Sequence, residues 1–239
     1  MNRKEAFFAL HSELPREGPG SRKDLDWAVK RASVPENARI LDAGCGPGAD
    51  IEGLLAHAPE GQVTAADKHL SFVEAVRARW RNDKRVTATA EDMREIDGPF
   101  DFIWCAGALY FLGLEAGLPL LGSKLAPGGS IAFSDLVFIG SNPDPALRAY
   151  LEEDVPVMRT HTELQEVIKE VGFHSLGQRV LPKSSWENYY TPMEQRIENL
   201  RPNADAALNE VLDAGETEIA MWRQYSDKFG YVLSVVRPA

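Results

Sequence analysis

An α/β fold with a doubly wound, mostly parallel sheet is predicted by three features of the chain. Short apolar strands alternate with helical periodicities from residue 38 to residue 181. A glycine-rich turn, Gly44, Gly46 and Gly48, joins the first strand to a helix. Asp42, Asp67, Asp92, Cys105 and Asp135 stand at or just beyond strand ends, where ligands bind in such sheets.

Taken in order, Ala6, Phe7, Leu10 and Leu14 give residues 3–14 a helical pattern. Gly18-Pro19-Gly20-Ser21 breaks the chain, and Ser21 caps a helix through Leu25, Trp27, Ala28 and Val29. Together these form a helical N-terminal segment, 1–35, and Pro35-Glu36-Asn37 turns into the first strand, ending at Ala38–Leu41. Helix 49–58 follows the glycine turn and stops at Pro59-Glu60-Gly61. The second strand, 63–67, precedes a helix over 69–81, and the third strand is 86–89. The fourth, 100–106, is apolar almost throughout, as a central parallel strand should be. A helix over 114–125 is closed by the turn Pro127-Gly128-Gly129, which leads to the fifth strand, 130–135. Helices are expected over 143–155, with a break before Pro156, and over 160–171. The sixth strand is 176–181 and the seventh 231–236. The residues between them, 182–228, are too many for a plain loop and read as a helical insertion, with one helix over 204–227. The whole chain, 1–239, is expected to be a single domain.

Composition narrows the function. The chain is 44% hydrophobic and 26% charged, ordinary values for a globular domain, and no apolar run is long enough for a membrane span. The stretch 1–8 is too short in apolar residues for a secretory signal. Cys45 and Cys105 fit neither a disulfide framework nor a zinc site, so a reducing cytoplasm is expected and no metal. A net charge of −10 opposes nucleic acid as a partner, because phosphate binding needs a positive footprint.

The glycine turn is the sharpest signal. A dinucleotide fingerprint is spaced G-x-G-x-x-G, with its pyrophosphate on the helix N-terminus. Here the spacing is G-x-G-x-G, and Asp42 just before it would repel a pyrophosphate while suiting a ligand with an ammonium and a sulfonium. An acid at Asp67 can accept hydrogen bonds from both hydroxyls of a ribose. Asp92 can accept from an adenine amino group, with Met93 packing on the ring.

Asp42-x-Gly44-x-Gly46-x-Gly48, then Asp67, Asp92-Met93, the strand 100–106 and Leu125-Ala126-Pro127-Gly128-Gly129 resemble successive motifs of the Rossmann-like, class I S-adenosylmethionine-dependent methyltransferases. Trp186, Tyr189, Tyr190 and Pro192, with the tail from Tyr225 to Val232, resemble a bacterial small-molecule subgroup of that family. The resemblance implies a seven-stranded sheet of order 3-2-1-4-5-7-6 with the last strand antiparallel. It implies S-adenosyl-L-methionine as cofactor and S-adenosyl-L-homocysteine as product. Gly44, Gly46 and Gly48 would wrap the methionine part, Asp67 would hold the ribose and Asp92 with Met93 the adenine, with Cys45 and Lys68 also among the cofactor-binding residues. Gly18–Ser21 and Cys105 would border the methionine end. Where base-modifying members carry an Asn/Asp-Pro-Pro-Tyr-like motif this chain reads Cys105-Ala106-Gly107-Ala108, which disfavours nucleic-acid bases as acceptors.

Methyl transfer to a small molecule needs alignment of the reacting atoms and, for a hydroxyl or ammonium acceptor, a base. Tyr110, Asp135, His161 and Tyr189 are the candidates, Tyr110 first because it follows the fourth strand. Trp186, Tyr189 and Tyr190 are expected to cover the cleft and, with Tyr110 and Asp135, to bind the acceptor. Arg159 and Arg196 could meet a substrate carboxylate, and a homodimer is one assembly left open, the oligomeric state being beyond the sequence. Two alternatives stay open: a non-catalytic cofactor-binding module, since every sharp motif concerns the cofactor, and an NAD-linked oxidoreductase, which Asp42 and the glycine spacing oppose.

Overall fold

A computed structural model describes residues 1–140, 145–152 and 157–239. The strands are β1 Arg39–Ala43, β2 Gln62–Ala66, β3 Val86–Thr89, β4 Phe100–Cys105, β5 Leu125–Phe138, β6 Arg159–Thr160, β7 Phe173–Val180 and β8 Phe229–Pro238. They form one sheet in the order β3-β2-β1-β4-β5-β8-β7, with β6 pairing the last two residues of β5. Pairing is parallel except at β8, which runs antiparallel to both β5 and β7. The seven expected strands therefore stand in the expected order. The eighth, β6, has two residues, too few to carry an alternating pattern.

The helices are α1 Arg3–His11, α2 Arg22–Ala32, α3 Ile51–His57, α4 Leu70–Trp80, α5 Leu114–Gly122, α6 Pro145–Leu151, α7 His161–Glu170, α8 Lys183–Leu200 and α9 Ala206–Tyr225. Ser21 caps α2 by accepting the Asp24 N–H, and Thr160 opens α7 in a capping box with Glu163. Of the helix expected over 143–155 only α6 is described; its ends, and the break before Pro156, lie outside the described residues. The insertion holds two long helices, α8 and α9, where one was predicted. The Pro127–Gly129 turn is a bulge within β5: pairing to β4 runs from Phe100↔Leu125 to Phe102↔Ser130.

Alternation along the strands divides the core. One face of the sheet packs Ile40, Phe102 and Trp104 against α2 and α3, and the other packs Leu41, Ile103, Cys105 and Phe133 against α5 and α7. A third cluster joins α1, α8 and α9 with Phe138 and Phe229. There α9 comes close enough that a Cβ on Gly215 would lie 3.2 Å from Ile197 and 3.5 Å from Leu10. Arg196 on α8 donates to the carbonyls of Ala9 and Leu10 and pairs with Glu13, fastening α1 to α8. Ser185, at the start of α8, accepts the Gly20 N–H at 2.9 Å through its carbonyl, and Asn188 donates to the Gly20 carbonyl at 3.0 Å. The segment 18–21 is thereby pinned beneath α8. Among the described residues no helix is long and apolar enough to cross a membrane.

Leu212 on α9 is wholly buried in this third cluster. Leu212→Ala should lower stability by roughly 2–5 kcal/mol, read from the midpoint of urea unfolding; a change below about 1 kcal/mol would show that the helices pack loosely.

Candidate functional site

The loop after β1 is shaped by backbone conformations that favour glycine: φ is 74° at Gly44, 51° at Gly46 and 79° at Gly48. A Cβ on Gly44 would sit 2.4 Å from the Cβ of Ala108, so nothing larger fits there. The loop is tied to the tip of the neighbouring strand. Gly44 and Cys45 donate their N–H groups to the carbonyl of Ala66 at 2.8 and 3.0 Å. The Asp67 carboxylate accepts the Gly46 N–H at 2.9 Å through one oxygen and the His69 N–H at 2.8 Å through the other. Each oxygen keeps lone-pair capacity for a ligand.

Above the loop opens a cavity of about 560 Å³. Asp42 lines its floor and is 3% exposed, with Oδ2 buried and without a hydrogen-bond partner among the described residues. Burial first, then the charges of Asp50 and Asp67, push its carboxyl well above the ordinary value. Asp50 is itself engaged: the Trp104 indole donates to it at 3.0 Å and Arg16 lies 3.4 Å away. A second unpartnered buried oxygen, Glu17 Oε1, lines the same cavity, while Glu17 Oε2 meets His11 Nδ1 at 2.7 Å. Burial raises the Glu17 carboxyl despite that partner. At the far end Arg94 clamps Asp92, Nε to Oδ1 at 2.9 Å and the terminal nitrogen to Oδ2 at 2.8 Å, with Lys68 3.6 Å from Oδ2. The guanidinium holds Asp92 well below the usual carboxylate range.

The structure brings Asp42, Gly44, Cys45, Gly46, Asp67, Lys68, Asp92, Met93, Tyr110, Trp186, Tyr189 and Tyr190 to this one cavity. Gly18 and Pro19 border it as well. Gly48 does not line it; its α-carbon turns toward Ile51 and Val76, where a Cβ would lie 2.8 Å from each side chain. Cys105 is a correction: it alternates to the opposite face of β4, in the core with α5, and burial pushes its thiol up. Asp135 is another. It lies on that same face of β5 as Phe133 and Val137, where burial raises its carboxyl to about 6 against the lowering charge of Arg159. His161, the first residue of α7, meets Gln178 at 3.2 Å and lines no described cavity. Neither expected arginine is available to a substrate: Arg159 pairs with Glu115, and Arg196 holds α1. Tyr110 stands at the cavity on a single 3-10 turn, Leu109–Phe111, but burial and the Glu218 charge raise its hydroxyl to about 12. A phenol so placed keeps its proton at neutral pH and is a poor base.

Sequence reasoning missed Arg16, Glu17, Trp104, Glu218 and Tyr231, all of which line the cavity. Glu218 carried a signal, because it falls on the same helical stripe as Val211, Ala214 and Met221. A second chamber, about 750 Å³, adjoins the first and shares Tyr110, Trp186, Tyr190, Glu218 and Tyr231 with it. Among the described residues no group of three or more His, Cys, Asp or Glu is placed to hold a metal ion.

Residues 40–129 match a family described as a methyltransferase domain. The O-methyltransferase resE of Aspergillus sclerotiorum is 28% identical over 67% of this chain and 67% of its own length. Malonyl-[acyl-carrier protein] O-methyltransferase of Enterobacter lignolyticus is 29% identical over 57% of this chain and 51% of its own. The chain spans 35% to 67% of the length of the curated relatives it matches. In fold it is similar to a SAM-dependent methyltransferase from Geobacter sulfurreducens solved with S-adenosyl-L-homocysteine, at 19% identity, 98% coverage of both chains and a TM-score of 0.84. The matched stretch covers β1, the glycine loop and the strand tips that carry Asp67 and Asp92, and the sheet order agrees: residues 40–129 are similar to a methyltransferase domain, and the fold is the Rossmann-like one of the solved methyltransferase.

Proposed function

We propose that the chain binds S-adenosylmethionine in the 560 Å³ cavity and methylates a small molecule seated in the adjoining chamber. The observation that carries this reading is the buried Asp42 oxygen without a partner, beside the glycine loop. An acid left uncompensated in a buried site is costly, and a cationic ligand group removes that cost. The ammonium end of the cofactor is such a group. A dinucleotide pyrophosphate would add charge of the wrong sign.

When bound, the cofactor supplies a methyl carbon on a sulfonium, open to in-line displacement by the lone pair of an acceptor. The chain's own residues hold and orient. Asp42 faces the ammonium, and the turn at Gly44 and Gly46 lets the methionine part lie against bare backbone. Asp67 accepts from the ribose hydroxyls with the lone pairs that Gly46 and His69 leave. Lys68 lines that end, and Met93, with the Arg94-clamped Asp92, borders the adenine. Trp186, Tyr189 and Tyr190 on α8 cover the cleft and exclude water, which leaves positioning to supply most of the rate.

Calorimetric titration should show one S-adenosylhomocysteine bound per chain. Asp67→Ala should weaken that binding at least about tenfold, since charge-assisted hydrogen bonds are worth roughly 1.5–3 kcal/mol; unchanged affinity would mean that the ribose lies elsewhere. For Asp42→Asn the sign follows from its raised carboxyl. Below the ordinary value of 3.8 the group is neutral folded or unfolded and costs nothing. As pH rises the unfolded chain ionises first, so stability falls by about 1.4 kcal/mol per pH unit until the folded group ionises too. Asp42→Asn should therefore melt higher than the parent at neutral pH in the absence of ligand, match it near pH 3, and bind S-adenosylmethionine more weakly. A variant less stable than the parent at neutral pH would overturn the assignment of Asp42.

A further inference from the structure

Two carboxylates on the wall of the 560 Å³ cavity carry a buried oxygen with no hydrogen-bond partner among the described residues, Asp42 through Oδ2 and Glu17 through Oε1. The proposed cofactor has two positive groups, an ammonium and a sulfonium. Asp42 takes the ammonium, which leaves the sulfonium and Glu17.

Glu17 belongs to the segment between α1 and α2 and lies across the glycine loop. A Cβ on Gly46 would stand 3.3 Å from its Cγ and 3.6 Å from its Cβ. The Gly46 N–H is the one that Asp67 accepts, and Lys68 beside Asp67 reaches Asp92 at 3.6 Å. Contacts along the wall therefore run from Asp42 to Gly46 with Glu17 upon it, then to Asp67, then to Asp92. The cofactor's own bonds run in the same order, from ammonium to sulfonium to ribose to adenine.

The charges around Glu17 come from three elements. His11, on α1, meets Oε2 through Nδ1 at 2.7 Å. From the turn after β2, Asp67 raises the carboxyl and His69 lowers it. Arg16, its neighbour in sequence, turns away to the Gly18 carbonyl at 2.6 Å and to Asp50. Burial is the largest influence and raises Glu17 even with His11 attached, so the imidazole does not cancel the cost of burying this carboxylate. A positive charge brought to its other side lowers that cost further.

We infer, resting on the cofactor reading proposed above, that Glu17 distinguishes S-adenosylmethionine from its spent product, its carboxylate facing the sulfonium as Asp42 faces the ammonium. Methyl transfer forms a bond between the acceptor atom and the methyl carbon and leaves the broken C–S electron pair on sulfur. The sulfur becomes neutral, and Glu17 loses the charge it faced. One carboxylate thus favours entry of the charged cofactor and loosens the neutral product, a selectivity that lies in the difference between two affinities.

The test compares S-adenosylhomocysteine with sinefungin, which keeps the ammonium, carboxylate, ribose and adenine but carries an amine, protonated at neutral pH, in place of the methyl-bearing sulfur. Each is titrated calorimetrically into the full chain at neutral pH. The parent should bind sinefungin at least about tenfold more tightly, or about 1.4 kcal/mol. Glu17→Gln should weaken sinefungin about tenfold and leave S-adenosylhomocysteine within about twofold, because the amide oxygen still accepts from His11 Nδ1. His11→Gln, which keeps the carboxylate, should keep the preference. Equal affinities in the parent, a Glu17→Gln chain that loses both ligands alike or neither, or a His11→Gln chain without the preference would each overturn the role given to Glu17. Failure of the parent to bind either ligand would instead overturn the cofactor reading itself.

Discussion

Asp67 spends both carboxylate oxygens on backbone N–H groups, one in the glycine loop and one in the turn after β2. With the two bonds from Gly44 and Cys45 to the Ala66 carbonyl, this stitches the first βα corner to the neighbouring strand tip. The left-handed glycines can then hold an open turn that would otherwise have many conformations to choose from. Everything at the cofactor end takes its position from this stitch. It fixes the floor above Asp42, and it sets the approach of Ala108 to Gly44 that leaves no room for a side chain.

The roof is built from residues far away in sequence. α1, α8 and α9 pack as a separate cluster, and α8 reaches down through Ser185 and Asn188 to pin the segment that holds Gly18 and Pro19 over the cavity. Floor and roof differ in character. The floor is acidic and backbone-rich, suited to a polar ligand, while the roof is aromatic around one carboxylate. Two cavities sharing a wall follow from laying one surface on the other.

Much of this was legible in the chain. The glycine spacing marked the loop, the alternation of strands and helices gave the strands through β5, and their order in the sheet came with the family resemblance. What stayed hidden was parity. In β4 both Trp104 and Cys105 are buried and apolar, so no polar alternation says which one looks toward the ligand; the structure turns Trp104 to Asp50 and Cys105 to α5. β5 repeats the ambiguity: Ser134 accepts the Gly107 N–H on the side of the site, and Asp135 points the other way. Local partners were equally invisible. Arg94, two residues past Asp92, takes up both carboxylate oxygens, a clamp that depends on the turn's shape rather than on any pattern. The insertion read correctly as helical, yet α8 carries Pro192 within it and an aromatic cluster that masks its period, so its extent was lost.

The antiparallel β8 has a bearing on how the chain reaches this state. It lies between β5 and β7, carries Tyr231 into the wall, and is the last strand in sequence. The contacts of α1 with α9 likewise join the first helix to the last. Loop closure over such separations is entropically slow. During synthesis the ligand floor can therefore take shape early, while the chamber above it has no walls until the C-terminal strand slots in, so a chain stopped short of that point carries the cradle without an enclosure.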